Sequence, residues 1–167
     1  MIKLTARKSL ELAVEAEKAG ARFYERLSRR YAHRPELAEV FLTLAADELE
    51  HEAKYREILE ETPDTEPIVA HQYGRSEYLR AIAISEFYRG DDLKHIEGLT
   101  SISDVLQVAI SLEQSNIAYY QGLRDEIGAH DALQQLIEEE KQHVVRLVQL
   151  LEGEEGNNVL LRKAVGI

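Results

Sequence analysis

Residues 41–55 read FLTLAADELEHEAKY, and their apolar side chains recur every three or four positions. That period predicts an amphipathic helix with one buried face. Glu48 interrupts the apolar face between Leu44 and Tyr55, and His51 follows it by three positions. Side chains three positions apart lie on the same side of a helix about one turn apart, so Glu48 and His51 can reach one ion. This stretch therefore carries two candidate metal ligands on a face that should be buried.

The arrangement is repeated near the end of the chain, where residues 136–147 read LIEEEKQHVVRL and contain Glu140 and His143. Two further carboxylates, Glu17 and Glu113, also interrupt apolar faces. Counted from Glu17, a tyrosine, a glutamate and a histidine follow at +7, +31 and +34, and counted from Glu113 they follow at +7, +27 and +30. The second glutamate and the histidine lie four positions further along in the first series than in the second, and this difference falls in the segment between the helices. The sequence therefore indicates an internal repeat of two helical hairpins.

The predicted fold is an all-α four-helix bundle in a single domain, residues 1–167, with its core at about 9–152. Short connections within each pair of helices predict antiparallel hairpins, because a few residues can only reverse the chain. Pro35 suits a first helical turn, and Ser101 with Asp104 forms a capping signal. The four helices are predicted from about Ser9, as N-cap, to Ala32, from Pro35 to before Pro63, from Ser101 to Gly128, and from about Leu133 until Gly153.

A long crossover, Pro63 to Thr100, separates the two hairpins and contains one shorter helix candidate near Ser76–Arg89. A connection of that length allows the third helix to start at either end of the bundle. Residues 153–167 are predicted to form a C-terminal tail with apolar side chains, for which the sequence gives no docking position.

The composition excludes several classes of function. The 20 Lys and Arg against 31 Asp and Glu give a net charge of −11, which disfavours binding to nucleic acid or to anionic membranes. The chain has no cysteine, so it contains no disulfide, no Cys-ligated zinc and no iron–sulfur centre. It has no signal-peptide pattern and no apolar stretch of membrane-spanning length, which predicts a soluble cytoplasmic protein.

Burial of four carboxylates needs compensation. Each unpaired buried carboxylate costs several kcal/mol, and a domain has only about 5 to 15 kcal/mol of net stability. Two divalent cations would supply four positive charges against four negative ones. Asp47 and Glu139, each four positions before a histidine, are competing ligand candidates that lie off the apolar faces. The alternative interpretation is that the glutamates are solvated and that the bundle is a metal-free interaction module.

These residues and motifs resemble the ferritin-like di-iron carboxylate superfamily, and within it the rubrerythrin branch. The resemblance covers Ser9 to about Leu151 apart from the crossover, and its local texture is seen in AEKAGARFYERL at 16–27 and in both stretches quoted above. It implies one glutamate from each of two helices and Glu-x-x-His from each of the other two. By resemblance, Glu17 and Glu113 are terminal ligands, Glu48 and Glu140 bridge two metal ions, and His51 and His143 supply one nitrogen ligand each.

The resemblance also gives roles to residues near the metals. It implies that Tyr24 and Tyr120 orient a carboxylate or shield the pocket, although both can also be core-filling side chains. Rubrerythrins carry a further glutamate three positions after the third-helix ligand, and Asn116 occupies that position here, so it is counted among the site residues. Bacterioferritins have a haem-ligating methionine after the second-helix glutamate. Leu49 stands there, so no haem is expected at that position.

The function implied by the resemblance is an oxidoreductase with two iron ions, or manganese, that reduces hydrogen peroxide or dioxygen. A cysteine-ligated rubredoxin domain cannot exist in this chain, so the electrons come from an external donor or from ferrous iron. The alternatives are a ferritin-like ferroxidase or iron-handling assembly, and the metal-free module. Family analogy favours a homodimer, and no nucleic-acid or membrane partner is expected.

Overall fold

The computed structural model describes residues 5–63, 98–128 and 130–165, and within these ranges every regular element is an α-helix. The predicted all-α fold is confirmed. The predicted short helix at Ser76–Arg89 and most of the crossover lie outside the described residues. The helices are α1 (Ala6–Arg30), α2 (Pro35–Glu61), α3 (Ile102–Ile127) and α4 (Asp131–Val165).

The predicted start of the first helix at Ser9 is wrong, because Thr5 is the N-cap. The Thr5 hydroxyl accepts a hydrogen bond from the Lys8 backbone N–H at 3.0 Å, which satisfies one of the free N–H groups of the first turn. Ser9 instead lies buried within α1, where its carbonyl accepts a 2.8 Å hydrogen bond from the Tyr119 hydroxyl. The helix ends at Arg30, slightly before the predicted Ala32.

The predicted end of the fourth helix at Gly153 is also wrong, because α4 continues to Val165. Glycine ends a helix when it takes a positive φ, and among the described residues only Gly128 does so, at 91°, after the end of α3. Just beyond Gly153, the Arg34 guanidinium donates a 3.1 Å hydrogen bond to the Glu154 carboxylate. Most of the predicted tail is therefore helical.

The contacts between helices fix the topology of the bundle. The helices α1 and α2 form one antiparallel hairpin, and α3 and α4 form the other. Between the hairpins, Tyr119 contacts Ser9 near the start of α1, and Arg30 at its end contacts the Leu99 carbonyl. The helix α3 therefore runs antiparallel to α1 and begins at the end of the bundle opposite to the end of α2.

The apolar core consists of two clusters with a polar layer between them. One cluster includes Phe41 and Leu106, and the other includes Leu10 and Leu136. The buried glutamates and histidines lie in the middle of the bundle between these clusters. None of the helices in the described part of the chain combines the length and the apolar character that a membrane span requires.

Candidate metal centre

All six predicted ligands lie in the interior of the bundle, and each helix contributes at least one of them. Their exposed fractions are between 0 and 2%. Burial of this many ionisable groups in one layer contradicts the interpretation that they are surface residues. The six are Glu17 on α1, Glu48 and His51 on α2, Glu113 on α3, and Glu140 and His143 on α4.

The two Glu-x-x-His pairs meet at the centre of the site. Glu140 contacts both imidazoles, with Oε1 at 2.9 Å from His51 Nδ1 and Oε2 at 3.1 Å from His143 Nδ1. Glu48 also lies between them, at 3.4 Å from His143 Nδ1 and 3.8 Å from His51 Nδ1. The two rings are stacked with their centroids 5.2 Å apart. The ligand atoms of these four residues all lie within 4.8 Å of one another.

The remaining two glutamates lie at opposite ends of this central group. Glu17 Oε2 is 3.8 Å from His51 Nδ1, and Glu113 Oε1 is 3.8 Å from His143 Nδ1. Each half of the site thus has one histidine and one terminal glutamate from the same hairpin, while Glu48 and Glu140 are shared. The terminal and bridging roles that the sequence resemblance implies for these residues remain predictions.

Asp47 and Glu139 contact the outer nitrogens of the histidines, on the far side of each ring from the central carboxylates. Glu139 lies 3.1 Å from His51 Nε2, and Asp47 lies 3.3 Å from His143 Nε2. Outer carboxylates of this kind fix the orientation and tautomer of a ligating histidine. Each histidine directs Nδ1 toward the central carboxylates and Nε2 toward Asp47 or Glu139. Asp47 and Glu139 therefore hold the histidines in place and lie outside the central ligand group.

Lys54 and Arg146 complete this support, and the sequence analysis missed both. Lys54 forms a 2.7 Å ion pair with Glu139, and Arg146 forms a 2.7 Å ion pair with Asp47. Each cation lies three positions after a histidine. The signal was present in the extended repeat, an acidic residue, Glu-x-x-His and then a cation, found as DELEHEAK at 47–54 and EEKQHVVR at 139–146.

The two predicted tyrosines each donate a hydrogen bond to a terminal glutamate of the opposite hairpin. The Tyr24 hydroxyl donates to Glu113, and the Tyr120 hydroxyl donates to Glu17. These hydrogen bonds allow both tyrosines to orient carboxylates, and the role that the resemblance implies for them remains a prediction. A third buried tyrosine, Tyr55, packs its ring 4.8 Å from that of Tyr120, and the sequence analysis treated it only as a core residue.

Asn116 lies one turn beyond Glu113 on α3 and is 5% exposed, so it belongs to the same buried layer. A neutral amide at this position adds no further negative charge to the four carboxylates. A carboxylate at this position would add a fifth negative charge to the layer.

The pKa values of Glu17 and Glu113 shift in the opposite direction to that of Glu48. Burial, followed by the negative charges of Glu48 and Glu140, raises the pKa of Glu17 well above its usual value, and the same causes raise the pKa of Glu113. Burial opposes ionisation of Glu48 too, but close polar contacts with Glu17, His143 and His51 outweigh it and lower the pKa of Glu48. The terminal carboxyls therefore retain protons when no cation neutralises the cluster.

The histidines respond in the opposite direction. Burial disfavours the imidazolium form, but the close, negatively charged carboxylates of Glu140 and Glu48 outweigh it. They raise the pKa of His51 to about 10 and that of His143 to about 9. Without a metal, protons on the imidazoles supply the positive charge that the carboxylates need.

Several buried ligand atoms have no hydrogen-bond partner, as is expected of atoms that bind a pair of cations. Glu17, Glu113, Glu140 and His143 each have one such atom, and Glu48 has two. Unpaired buried oxygens and nitrogens are costly unless they bind something. Four carboxylates and two imidazoles without sulfur are ligands that suit iron or manganese, and two divalent ions would balance four negative charges. The residues therefore fit a dinuclear site.

Gly20 on α1 leaves space for the Glu48 carboxylate. A Cβ at this position would lie 3.3 Å from Glu48 Cδ and 3.4 Å from Glu48 Oε2. A methyl group at Gly20 would therefore push on the shared ligand. At Gly153, by contrast, a Cβ would meet nothing within 4 Å.

We expect Gly20→Ala to weaken binding of Mn(II) by about tenfold, because it displaces Glu48 from between the two histidines. Gly153→Ala is the matched control. Alanine is favoured over glycine in a helix interior by about 1 kcal/mol, so the control should raise the free energy of unfolding and leave metal affinity unchanged. Titration with Mn(II) under anaerobic conditions measures the affinity. Equal affinities for Gly20→Ala and the wild type would contradict this role of Gly20.

The pKa shifts predict how the stability of chelator-treated protein depends on pH. Groups whose pKa is raised on folding stabilise the fold below their unfolded pKa, and lose this contribution as the pH rises through the folded value. For His51 and His143 the loss runs from about 6.5 to about 9 or 10. Metal binding must displace these same protons, so its affinity increases with pH.

The difference in Tm between Mn(II)-loaded and chelator-treated protein should therefore increase from pH 6 to pH 8. Differential scanning fluorimetry in anaerobic buffers measures it. A difference that stays constant or decreases over this range would show that the histidines do not exchange protons for metal.

Comparison with known proteins identifies the family and the fold. A family model of rubrerythrin matches residues 8–97, more than half of the chain, and this range contains all of α2 and all but the first two residues of α1. The crystal structure of a candidate ferritin-like diiron-carboxylate protein from Thermotoga maritima covers 91% of this chain and 97% of its own, with a TM-score of 0.62 and 23% identity. None of the curated proteins matches the chain. The structural neighbour shares the fold, and the family model matches more than half of the chain, so by that family match this chain belongs to the rubrerythrin family.

Proposed function

We propose that the chain is a cytoplasmic oxidoreductase that reduces hydrogen peroxide or dioxygen at a pair of iron or manganese ions. One observation carries the proposal. Two histidines and four carboxylates are buried in one layer, and five of the six residues have buried polar atoms without a hydrogen-bond partner. Each half offers one imidazole and one terminal carboxylate, which is a ligand set for two ions.

The side chains have distinct roles in this proposal. Glu48 and Glu140 would bridge the two ions, since each lies between His51 and His143. When bound, the pair of ions would supply two electrons, which with two protons convert hydrogen peroxide to two water molecules, or dioxygen to hydrogen peroxide. An external donor then restores these electrons, because the chain has no cysteine-ligated centre.

The surrounding residues keep the ligands oriented and the interior dry. Tyr24 and Tyr120 hold the terminal carboxylates through their hydroxyl hydrogen bonds. Glu17 and Glu113 are fitted to hold and release protons, because burial and neighbouring charge raise the pKa of both carboxyls. The apolar clusters on either side of the layer exclude bulk water, which strengthens electrostatic interactions inside it.

A route for small molecules lies between α2 and α4. A cavity of about 210 Å³ has His51 and His143 in its wall, together with Asp47 and Glu139. Its size suits dioxygen, peroxide or a hydrated cation. The two stacked imidazoles separate this cavity from the central carboxylates, so a small molecule that enters it meets the ligand set at its edge.

The proposal is tested by anaerobic loading with Fe(II), followed by addition of hydrogen peroxide or air. We expect about two Fe(II) per chain and a visible diferric absorption after the oxidant is added. In Glu48→Ala with Glu140→Ala, metal content should fall to background, because both shared carboxylates are lost. The control, Glu57→Ala with Glu138→Ala, removes two exposed carboxylates from the same two helices and should bind metal as the wild type does.

Wild-type stoichiometry in the Glu48→Ala, Glu140→Ala protein would contradict the proposed site. Two bound Fe(II) that stay unoxidised in both peroxide and air would contradict the proposed reaction while leaving the site intact.

A further inference from the structure

One buried hydroxyl beside the metal centre has no hydrogen-bond partner. The described part of the chain has five buried tyrosines, and the hydroxyls of Tyr24, Tyr119 and Tyr120 donate hydrogen bonds. The hydroxyls of Tyr31 and Tyr55 are buried without a partner among the described residues. Burial of an unpaired hydroxyl is unfavourable, so a protein that retains one next to its functional site has a use for it.

Tyr55 lies at the edge of the polar layer, on the side of Glu17. It follows His51 by four positions, and long side chains of a helix lean toward its N-terminus, so Tyr55 leans back toward the level of His51. Its ring is 4.8 Å from the ring of Tyr120, which donates to Glu17. Burial raises the pKa of the Tyr55 hydroxyl, and the charge of Glu17, followed by that of Glu140, raises it further. The hydroxyl is therefore close to the carboxylates of this half.

The internal repeat shows that the fold does not require a tyrosine at this position. The two Glu-x-x-His pairs are 92 positions apart, so Tyr55 corresponds to Leu147. Leu147 is also completely buried, in the apolar cluster that contains Tyr24, the tyrosine that donates to Glu113. An apolar side chain is thus sufficient for packing in the Glu113 half. The hydroxyl of Tyr55 makes the two halves of the site chemically different.

The nearest carboxylates are not free to accept from Tyr55 once the site is loaded. Glu17 Oε1 already accepts from Tyr120, and Glu17 Oε2 is among the unpaired atoms that fit a cation. An ionised carboxylate can only accept hydrogen bonds, whereas a tyrosine hydroxyl can donate. Tyr55 therefore places a donor beside the ligand set, and the acceptor for it comes from outside the described part of the chain.

We propose that the Tyr55 hydroxyl donates a hydrogen bond to peroxide bound in the Glu17 half of the site. Peroxide is a small oxygen anion, and a hydrogen bond to a charged oxygen is stronger than one to a neutral oxygen, especially in a dry interior. The Glu113 half has Leu147 at the equivalent position and offers no donor there. This inference rests on the proposed function and adds which half of the site holds the oxidant.

Azide tests this donor without any redox reaction, because azide is a small anion whose end atoms accept hydrogen bonds. The protein is loaded with Co(II), whose visible absorption changes when a ligand binds, and is titrated with azide. Tyr55→Phe removes only the hydroxyl. It should weaken azide binding about tenfold, which corresponds to the loss of one hydrogen bond to a charged ligand.

Tyr31→Phe is the matched control for this titration. Its hydroxyl is also buried without a partner, but Tyr31 follows the last residue of α1 and lies outside the polar layer. Azide affinity in Tyr31→Phe should equal that of the wild type.

The Tm of chelator-treated protein distinguishes this role from a structural one. Tyr55→Phe removes an unpaired hydroxyl, so its Tm should equal or exceed that of the wild type. Tyr120→Phe removes a hydroxyl that donates to Glu17, so its Tm should be lower. Differential scanning fluorimetry of the three proteins measures the difference.

Equal azide affinity in Tyr55→Phe and the wild type would overturn the proposal, and so would a wild type that binds no azide. A loss of Tm in Tyr55→Phe as large as that in Tyr120→Phe would also overturn it, because the hydroxyl would then have a structural partner. Bound Fe(II) that stays unoxidised in peroxide and air contradicts the proposed reaction separately, since azide binding to Co(II)-loaded protein does not depend on oxidation.

Discussion

Four carboxylates in the middle of a helical bundle are the constraint on which the rest of this structure depends. Each costs several kcal/mol if it is ionised without a partner, which together exceeds the net stability of an ordinary domain. The protein offsets part of this cost with protons. Burial and mutual repulsion raise the pKa of Glu17 and Glu113, and the carboxylates raise the pKa of both histidines. Cations are the other means of compensation, and the unpartnered atoms are arranged to accept them.

The same constraint explains why the two hairpins form one unit. Each hairpin supplies a terminal glutamate and a Glu-x-x-His pair, but the other hairpin orients them. Tyr24 of the first hairpin holds Glu113 of the second, and Asp47 of the first holds His143. The reverse contacts, Tyr120 with Glu17 and Glu139 with His51, complete the exchange. A single hairpin would leave its ligands without their supports, so the site also joins the halves of the bundle.

Much of this arrangement could be predicted from the sequence because periodicity and spacing record it. The internal repeat marks all six buried side chains, and their interruption of apolar faces indicates that they point inward. The helix ends were less predictable, since neighbouring residues can each serve as the cap of the same helix. Thr5 and Ser9 are both good N-caps, and the structure selects Thr5 because Ser9 packs against Tyr119. Gly153 would end α4 only if its φ were positive, and the identity of a residue alone does not determine its φ.

The sequence marks the supporting residues by their repeat positions, but it does not show which partner each of them contacts. Tyr24 lies two turns after Glu17 in the chain, yet it bonds to Glu113, because α1 and α3 run antiparallel. Lys54 and Arg146 look like ordinary surface cations until the opposite helix brings Glu139 and Asp47 to them. Partners of this kind depend on how helices are placed side by side, and one chain read alone contains no direct record of it.

Anomalous X-ray scattering at the iron edge, on crystals of protein loaded with Fe(II), tests the central claim most directly. The account predicts two peaks about 3.5 to 4 Å apart, both between Glu48 and Glu140, with His51 and Glu17 at one and His143 and Glu113 at the other. A single peak, peaks only at exposed acidic residues, or no peak in this layer would contradict it.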